Sequence, residues 1–229
     1  MRDGMAIIVG MGGIGRALAD AAEGSGRFER VERLSRANGF DPLDESSIAR
    51  AAKAMAHKEC DVKLMIVTTG MLHDEVQSPE KSLRDLDSIH LARSFAINAI
   101  APAIIAQHFL PIFPRGQRSV FAALSARVGS IADNRNGGWH GYRASKAALN
   151  MLIKTIAIEQ ARTRPEMICV GLHPGTVDTA MSKPFQRGAL ATKLFSPARA
   201  AQHLLEVVDN LDLHDSGKCL AWDGSEILP

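Results

Sequence analysis

Aromatic residues are scarce in this chain: its 229 residues include eight phenylalanines, two tryptophans and one tyrosine. Cysteine is also sparse. Cys60, Cys169 and Cys219 lie far apart and leave one thiol over after any pairing. That suggests a reducing compartment and offers neither a CxxC redox pair nor a zinc pattern. The eight histidines show no HExxH spacing, so no metal site is expected. An excess of one charge is missing too, since 27 Lys and Arg against 25 Asp and Glu leave a net charge of +2. With no basic run to track phosphates, neither nucleic acid nor an anionic membrane is expected as the main partner. No uninterrupted apolar stretch reads as long enough to cross a bilayer. The opening "MRDGMAIIVGMGGIG" has an arginine and a short apolar run, but glycines break the run and no small-residue cleavage site follows. It reads as structure and not as a signal peptide. A soluble cytoplasmic protein is the expectation.

What is present is ordinary globular material, 46% hydrophobic and 23% charged, enough for one domain over residues 1–229. Short apolar runs alternate with helix-period segments. Strands are predicted at 5–9, 31–35, 62–67, 119–124, 167–172 and 218–222, and helices near 14–24, 44–57, 84–110, 141–162 and 197–209. Near-continuous apolar strands suit a parallel sheet covered on both faces. The alternation predicts an α/β fold of the Rossmann type, a doubly wound parallel sheet flanked by helices on both faces. Such sheets bind ligands beyond the carboxyl ends of their strands.

The first strand runs into Gly10-Met11-Gly12-Gly13-Ile14-Gly15, a GxGxxG pattern that opens a helix. Glycines allow a tight turn and close approach of a pyrophosphate, which the exposed N–H groups of the helix start then face. The alternative is a glycine-rich turn with no ligand. After the second strand an acidic residue would hold a ribose 2′-hydroxyl. Ser35 and Arg36 stand there instead. A hydroxyl and a guanidinium suit a 2′-phosphate, so NADP(H) is favoured over NAD(H), unless Arg36 is simply a solvated surface residue.

The lone tyrosine, Tyr142, precedes Lys146 by four residues on a predicted helix, so the two share a face. A phenol titrates near pH 10 in a peptide, and a neighbouring ammonium favours its ionised form. The pair could protonate a carbonyl oxygen while the lysine holds ribose hydroxyls. Asn98 lies four residues before Pro102 in a long helical segment. Proline lacks an N–H, so the carbonyl of Asn98 loses its helical partner and needs another donor, such as an ordered water that could link to Lys146. A kinked packing helix is the plainer alternative.

With these residues in hand, the chain closely resembles the short-chain dehydrogenase/reductase family. The resemblance covers nearly all of it: the glycine turn, Asn98 in "NAIAP", Ser125 in "LSARVGS", "YRASK" at 142–146 and "HPGTVDT" at 173–179. The region from Ser125 to Asn150 is most similar to the branch containing the C-signal factor and sniffer-type carbonyl reductases. The resemblance implies that Tyr142 is the acid–base residue and that Lys146 tunes it and holds ribose. It makes Asn98 the anchor of a relay water and Ser125 the group that positions the substrate oxygen. It also implies cofactor contacts from the glycine turn including Ile14, from Asp41 to the adenine amino group, and from Thr69 and Gly70 after the third strand. Pro174, Gly175 and Thr179 follow at the nicotinamide.

Three departures accompany the resemblance. Only Met11 and Gly12 separate Gly10 from Gly13, one residue fewer than the family's usual loop. The third strand is followed by "VTTG" in place of Asn-Asn-Ala-Gly, so Thr68 stands where an asparagine usually braces the sheet and adenine. Counted from Gly129, the usual serine falls on Ala126, with Ser125 one place early. One residue on a strand end changes the face a side chain points to.

Trp139 and His140 precede Tyr142 and could line a substrate pocket or simply pack. Residues 181–200 read as a substrate lid, with Phe185 and Phe195 over an apolar ligand. His173 reads as structural. The expected activity is an NADP(H)-dependent interconversion of a small-molecule carbonyl and alcohol. The alternative is a non-catalytic dinucleotide-binding sensor that keeps the fold. The resemblance further implies pairing of the two long helices in a homodimer or homotetramer, with a monomer also open.

Overall fold

The structure is a computed structural model that describes residues 3–188 and 194–229. Six parallel strands form the central sheet: β1 (Met5–Val9), β2 (Arg30–Leu34), β3 (Val62–Val67), β4 (Ser119–Leu124), β5 (Met167–His173) and β8 (Cys219–Ala221). Their spatial order is β2-β1-β3-β4-β5-β8. The chain leaves β1 toward β2 and then crosses back to β3 on the other side. The connections after β1 and β3 therefore diverge and open a crevice at the carboxyl edge.

The sheet sorts its side chains by parity. Met5, Ile7 and Val9 join Met65, Val67, Phe121 and Cys169 in a core on one face, whereas Ala6 and Ile8 join Leu64, Ile66, Val120 and Val170 on the other. That alternation is the two-residue period of a strand, and burial on both faces is why these runs are apolar throughout. The first face is covered by α2 (Glu45–Ala56), α4 (Ala101–Phe109) and α5 (His140–Thr163), through residues such as Ile48, Ile105, Phe109, Leu149 and Ile153. The second face is covered by α1 (Gly13–Gly24) and α6 (Pro197–Asn210), through Leu18, Ala22, Leu204 and Val208. A short parallel pair, β6 (Thr176–Val177) with β7 (Leu194–Phe195), stands apart from the main sheet and has no sequence signature of its own.

Register sets the site. Val9 is level with Leu34 on one side and Val67 on the other, and Val67 with Ala123. Gly10, Ser35 and Thr68 thus leave the sheet side by side.

The predicted 84–110 helix is built in three pieces: α3 (Ser88–Phe95), a π-turn over Ala96–Ile100, and α4. The wider turn falls where Pro102 withholds its N–H from the carbonyl of Asn98, so the irregularity has a covalent cause. Contrary to the expectation from sequence, Ser88–Ile112 is long and apolar enough to cross a membrane on length and composition. In the fold Ile105, Ala106 and Phe109 lie against the sheet as core residues.

Candidate active site

The glycine turn is a close approach that only glycine permits. Gly10 adopts φ +90°, and a Cβ there would stand 2.8 Å from Thr68 Oγ1. A Cβ on Gly15 would lie inside the contact shell of the Gly10 carbonyl oxygen. So α1 packs directly on the end of β1 despite the shortened loop. Thr68 braces this junction, since its hydroxyl lies 2.8 Å from the carbonyl oxygens of both Val9 and Gly10. Arg16 Nε donates to the Met11 carbonyl at 2.8 Å and ties down the loop.

Beside this tight junction is open space. A Cβ on Gly12 would meet nothing within 4 Å. Gly12 is the N-cap of α1 and makes no side-chain cap bond, so the first N–H groups of the helix lack that partner. Thr69 Oγ1 is buried nearby with no partner among the described residues, and Thr69 N would stand 3.2 Å from a Cβ on Gly10. An open glycine cradle, uncapped helix N–H groups and an orphaned hydroxyl fit a dinucleotide's phosphates and sugar.

Thr179 closes the other side, with its methyl 2.9 Å from where a Gly13 Cβ would be. Gly175 turns at φ +77° after Pro174, and a Cβ there would also lie 2.8 Å from the Phe195 ring and 3.0 Å from Trp222. Just beyond β2, Ser35 N donates to Asn38 Oδ1 at 2.8 Å. Arg36 is 69% exposed and pairs with Asp41, Nε to Oδ1 at 3.6 Å. The two residues read separately from sequence form one ion pair at the rim, where exposure keeps its contribution to stability small.

Catalytic candidates from two elements stand close together, Tyr142 and Lys146 of α5 and Asn98 of the π-turn. Lys146 is 2% exposed, donates to the Leu124 carbonyl at 2.8 Å, and stands 5.8 Å from the centre of the Tyr142 ring. Asn98 is fully buried; its Oδ1 accepts from Met71 N at 2.7 Å, and its Nδ2 donates to Met71 O at 2.8 Å and to Ser145 Oγ at 3.1 Å. Gly70 separates the two, since a Cβ there would lie 3.5 Å from Asn98 Oδ1 and 3.6 Å from Lys146 Nζ.

Electrostatics differ from the expectation drawn from spacing. Burial pushes the Tyr142 phenol up to about 12 and the Lys146 ammonium down to about 8. Desolvation disfavours both charged forms, and no depression of the phenol by the lysine offsets it. Tyr142 is partly exposed by surface area, yet its surroundings act on the phenol as an interior does. At neutral pH Tyr142 is therefore a phenol with a proton to give.

Ser125 does not join this cluster directly. It is 4% exposed, and its hydroxyl donates to Asn150 Oδ1 at 2.6 Å. No hydrogen bond links Ser125 to Tyr142 among the described residues. The next residue, Ala126, has no hydroxyl to offer. The serine expected to orient the substrate thus donates to Asn150 on α5. Asn150 had not been singled out, although Tyr142, Lys146 and Asn150 recur every four residues on one helix face.

His173 ends β5, and its Nδ1 is buried without a partner among the described residues. Burial, helped by Arg127, lowers its titration to about 4. A histidine held neutral in the fold but protonated near pH 6.5 when unfolded contributes stability above pH 6.5 and loses it as pH falls toward 4. The melting temperature of the wild type is expected to drop across that window more steeply than that of His173→Gln. Parallel melting curves would remove His173 from the acid response.

The two phenylalanines assigned to a lid part company. Phe195 is 5% exposed and packs on Trp222 at 4.8 Å, so it belongs to the core. Phe185 meets Trp139 at 5.2 Å near the tyrosine. Residues 189–193 of the proposed lid lie outside the described residues. His140 Nδ1 is buried and unpartnered among those residues, and so is not a simple surface imidazole.

The glycine cradle, the buried lysine and the lone tyrosine meet at one sheet edge, and a sequence profile described as short chain dehydrogenase matches residues 4–189. The chain belongs to the short-chain dehydrogenase family. It is 35% identical to C-signal of Myxococcus xanthus over 147 residues, 64% of this chain and 82% of that one. It is 28% identical to 1-hydroxy-2-glutathionyl-2-methyl-3-butene dehydrogenase of Rhodococcus sp. strain AD45, over 82% of this chain and 77% of the relative. Among solved structures, the NADPH-bound carbonyl reductase from chicken fatty liver superposes with a TM-score of 0.83 at 24% identity, covering 100% of this chain and 95% of the other. The carbonyl reductase Sniffer of D. melanogaster gives 0.79 at 19% identity, with both chains fully covered. At these identities the superpositions speak to the fold, a parallel-sheet short-chain dehydrogenase.

Proposed function

We propose that this protein is an NADP(H)-dependent oxidoreductase that interconverts a carbonyl and an alcohol, with Tyr142 as general acid and base. The carrying observation is the single tyrosine beside a buried lysine at the rim of a glycine cradle. Bound nicotinamide would supply or accept the hydride. Tyr142, protonated at neutral pH, gives its proton to the substrate oxygen. Lys146, between Gly70 and the phenol, would hold ribose hydroxyls and pass a proton back to Tyr142, with the carbonyl of Asn98 freed by Pro102 as the far end of that path. Ser125 acts through Asn150 on the face of α5 that carries Tyr142 and Lys146. Gly10, Gly12, Gly13, Ile14, Gly15, Thr69, Gly70, Pro174, Gly175 and Thr179 would line the dinucleotide.

The names of two structural neighbours support NADP(H): one is an NADPH-bound carbonyl reductase and another a short-chain dehydrogenase/reductase from Burkholderia multivorans with bound NADP. Arg36 and Ser35 carry that preference in this chain. Arg36→Asp is expected to raise KM for NADPH about tenfold and shift the ratio of kcat/KM values toward NADH. An unchanged ratio would take Arg36 out of cofactor choice. The direct test of the whole reading is oxidation of NADPH with a panel of aldehydes and ketones. The likeness to C-signal keeps a sensor role in view, and tight cofactor binding without turnover on any substrate would favour it.

Exposed Ile100, Met151 and Ile158 on the long helices support pairing in a homodimer or homotetramer. Three free thiols, two of them buried, fit a cytoplasmic location.

A further inference from the structure

Among the described residues, Trp139 is the one non-glycine with a left-handed backbone, at φ 52°. Gly137 and Gly138 lead into it at 60° and 65°. A bulky residue in that region is strained and persists only where its surroundings hold it. Here Trp139 N donates to Glu80 O at 2.5 Å, and Arg143 N donates to Trp139 O at 2.8 Å. The Arg143 guanidinium reaches back as well, with Nε 3.0 Å from the Gly138 carbonyl and 3.2 Å from that of Gly137.

This held conformation places the indole among other rings. Trp139 meets Phe185 edge-on at 5.2 Å between centroids and Tyr142 at 6.4 Å. Phe185 in turn meets His73 at 5.3 Å, and His73 Nε2 is 2.9 Å from the Met181 carbonyl oxygen. Four rings from three separate stretches of an aromatic-poor chain, that of Tyr142 among them, thus converge. All four are partly exposed, in contrast to Phe195 in its core cluster. Their partial exposure leaves ring surface beside Tyr142 open to a ligand.

We propose that Trp139, Phe185 and His73 form an aromatic clamp that selects substrates carrying an aromatic ring a few bonds from the reacting carbonyl or alcohol. The proposal rests on the oxidoreductase reading above and names its substrate class. Edge-to-face contact with a flat ring rewards aromaticity beyond mere apolar area. The clamp therefore separates a phenyl group from a saturated ring of similar size.

Benzylacetone and its ring-saturated cyclohexyl analogue, whose carbonyls are equally reactive, supply the test. With NADPH, the wild type is expected to favour benzylacetone by about tenfold in kcat/KM. In Phe185→Leu and in Trp139→Leu that ratio should fall to within about threefold of unity. A purely structural role would lower both rates together and leave the ratio intact, which would overturn the clamp. Calorimetry with oxidised cofactor, where no hydride can pass, gives a second readout. Benzylacetone should bind wild type about tenfold more tightly than Trp139→Leu. If neither ketone is turned over while this difference in binding holds, the clamp stands and the oxidoreductase reading falls. Equal binding to wild type and variant overturns the clamp whatever the activity.

Discussion

Tyr142→Phe is expected to lower kcat by about 10²–10⁴-fold, the usual contribution of a positioned general acid. The hydroxyl it removes makes no hydrogen bond among the described residues, so no stabilising contact is lost. The melting temperature should stay within about 1 °C of wild type, and the loss can be assigned to chemistry. Ser125→Ala provides the contrast. Its hydroxyl belongs to Asn150 at 2.6 Å, so its loss should cost less than about tenfold in kcat, as befits a group acting through a neighbour. A Tyr142→Phe enzyme with more than a tenth of wild-type activity would sink the proposed mechanism. Because the chain has one tyrosine, an ultraviolet titration reads this phenol alone. It should ionise well above pH 10 and near 12. A midpoint below 10 would mean that Lys146 dominates over burial.

The second large effect separates packing from ligand at the glycine turn. Gly15→Ala drives a methyl into the Gly10 carbonyl and against Thr68 Oγ1. Backbone must move, and overpacking of this kind costs about 1–3 kcal/mol or more. For a chain of this size the melting temperature should fall by about 5 °C or further, with cofactor binding damaged as a consequence. Gly12→Ala is different, because its new methyl meets no protein atom within 4 Å and its backbone is extended at φ −72°. Stability should be unchanged within about 1 °C. If the open cradle is where phosphates lie, NADPH should bind at least about tenfold more weakly to Gly12→Ala. Wild-type affinity in that variant would show that the cradle faces solvent and not a dinucleotide.

Much of this architecture is legible in the chain. Strands β1, β3 and β4 coincide with their apolar runs because burial on both faces demands an unbroken run, a signal that does not depend on the rest of the fold. Their alternation with helix-period segments implies parallel order, and the glycines after β1 mark the crevice. Tyr142 and Lys146 share a face because the helix repeats near every four residues, and that same period places Asn150 with them. The π-turn at Ala96–Ile100 is foreshadowed by Pro102, a covalent cause readable at one position.

Other features exist only once the chain is folded. The direction of the Ser125 hydroxyl depends on how a strand end turns, and it was settled by an acceptor on α5. Arg36 and Asp41 stand 3.6 Å apart at the rim because a short helical turn brings them together. Phe185 and Phe195 are the same residue type ten positions apart, yet one is partly exposed against Trp139 and the other is core. The titration of Tyr142 is the sharpest case. Sequence spacing determined that a lysine would stand beside the lone tyrosine. Whether charge or burial governs that phenol depends on the packing of α5 against the sheet, and tertiary structure decided for burial.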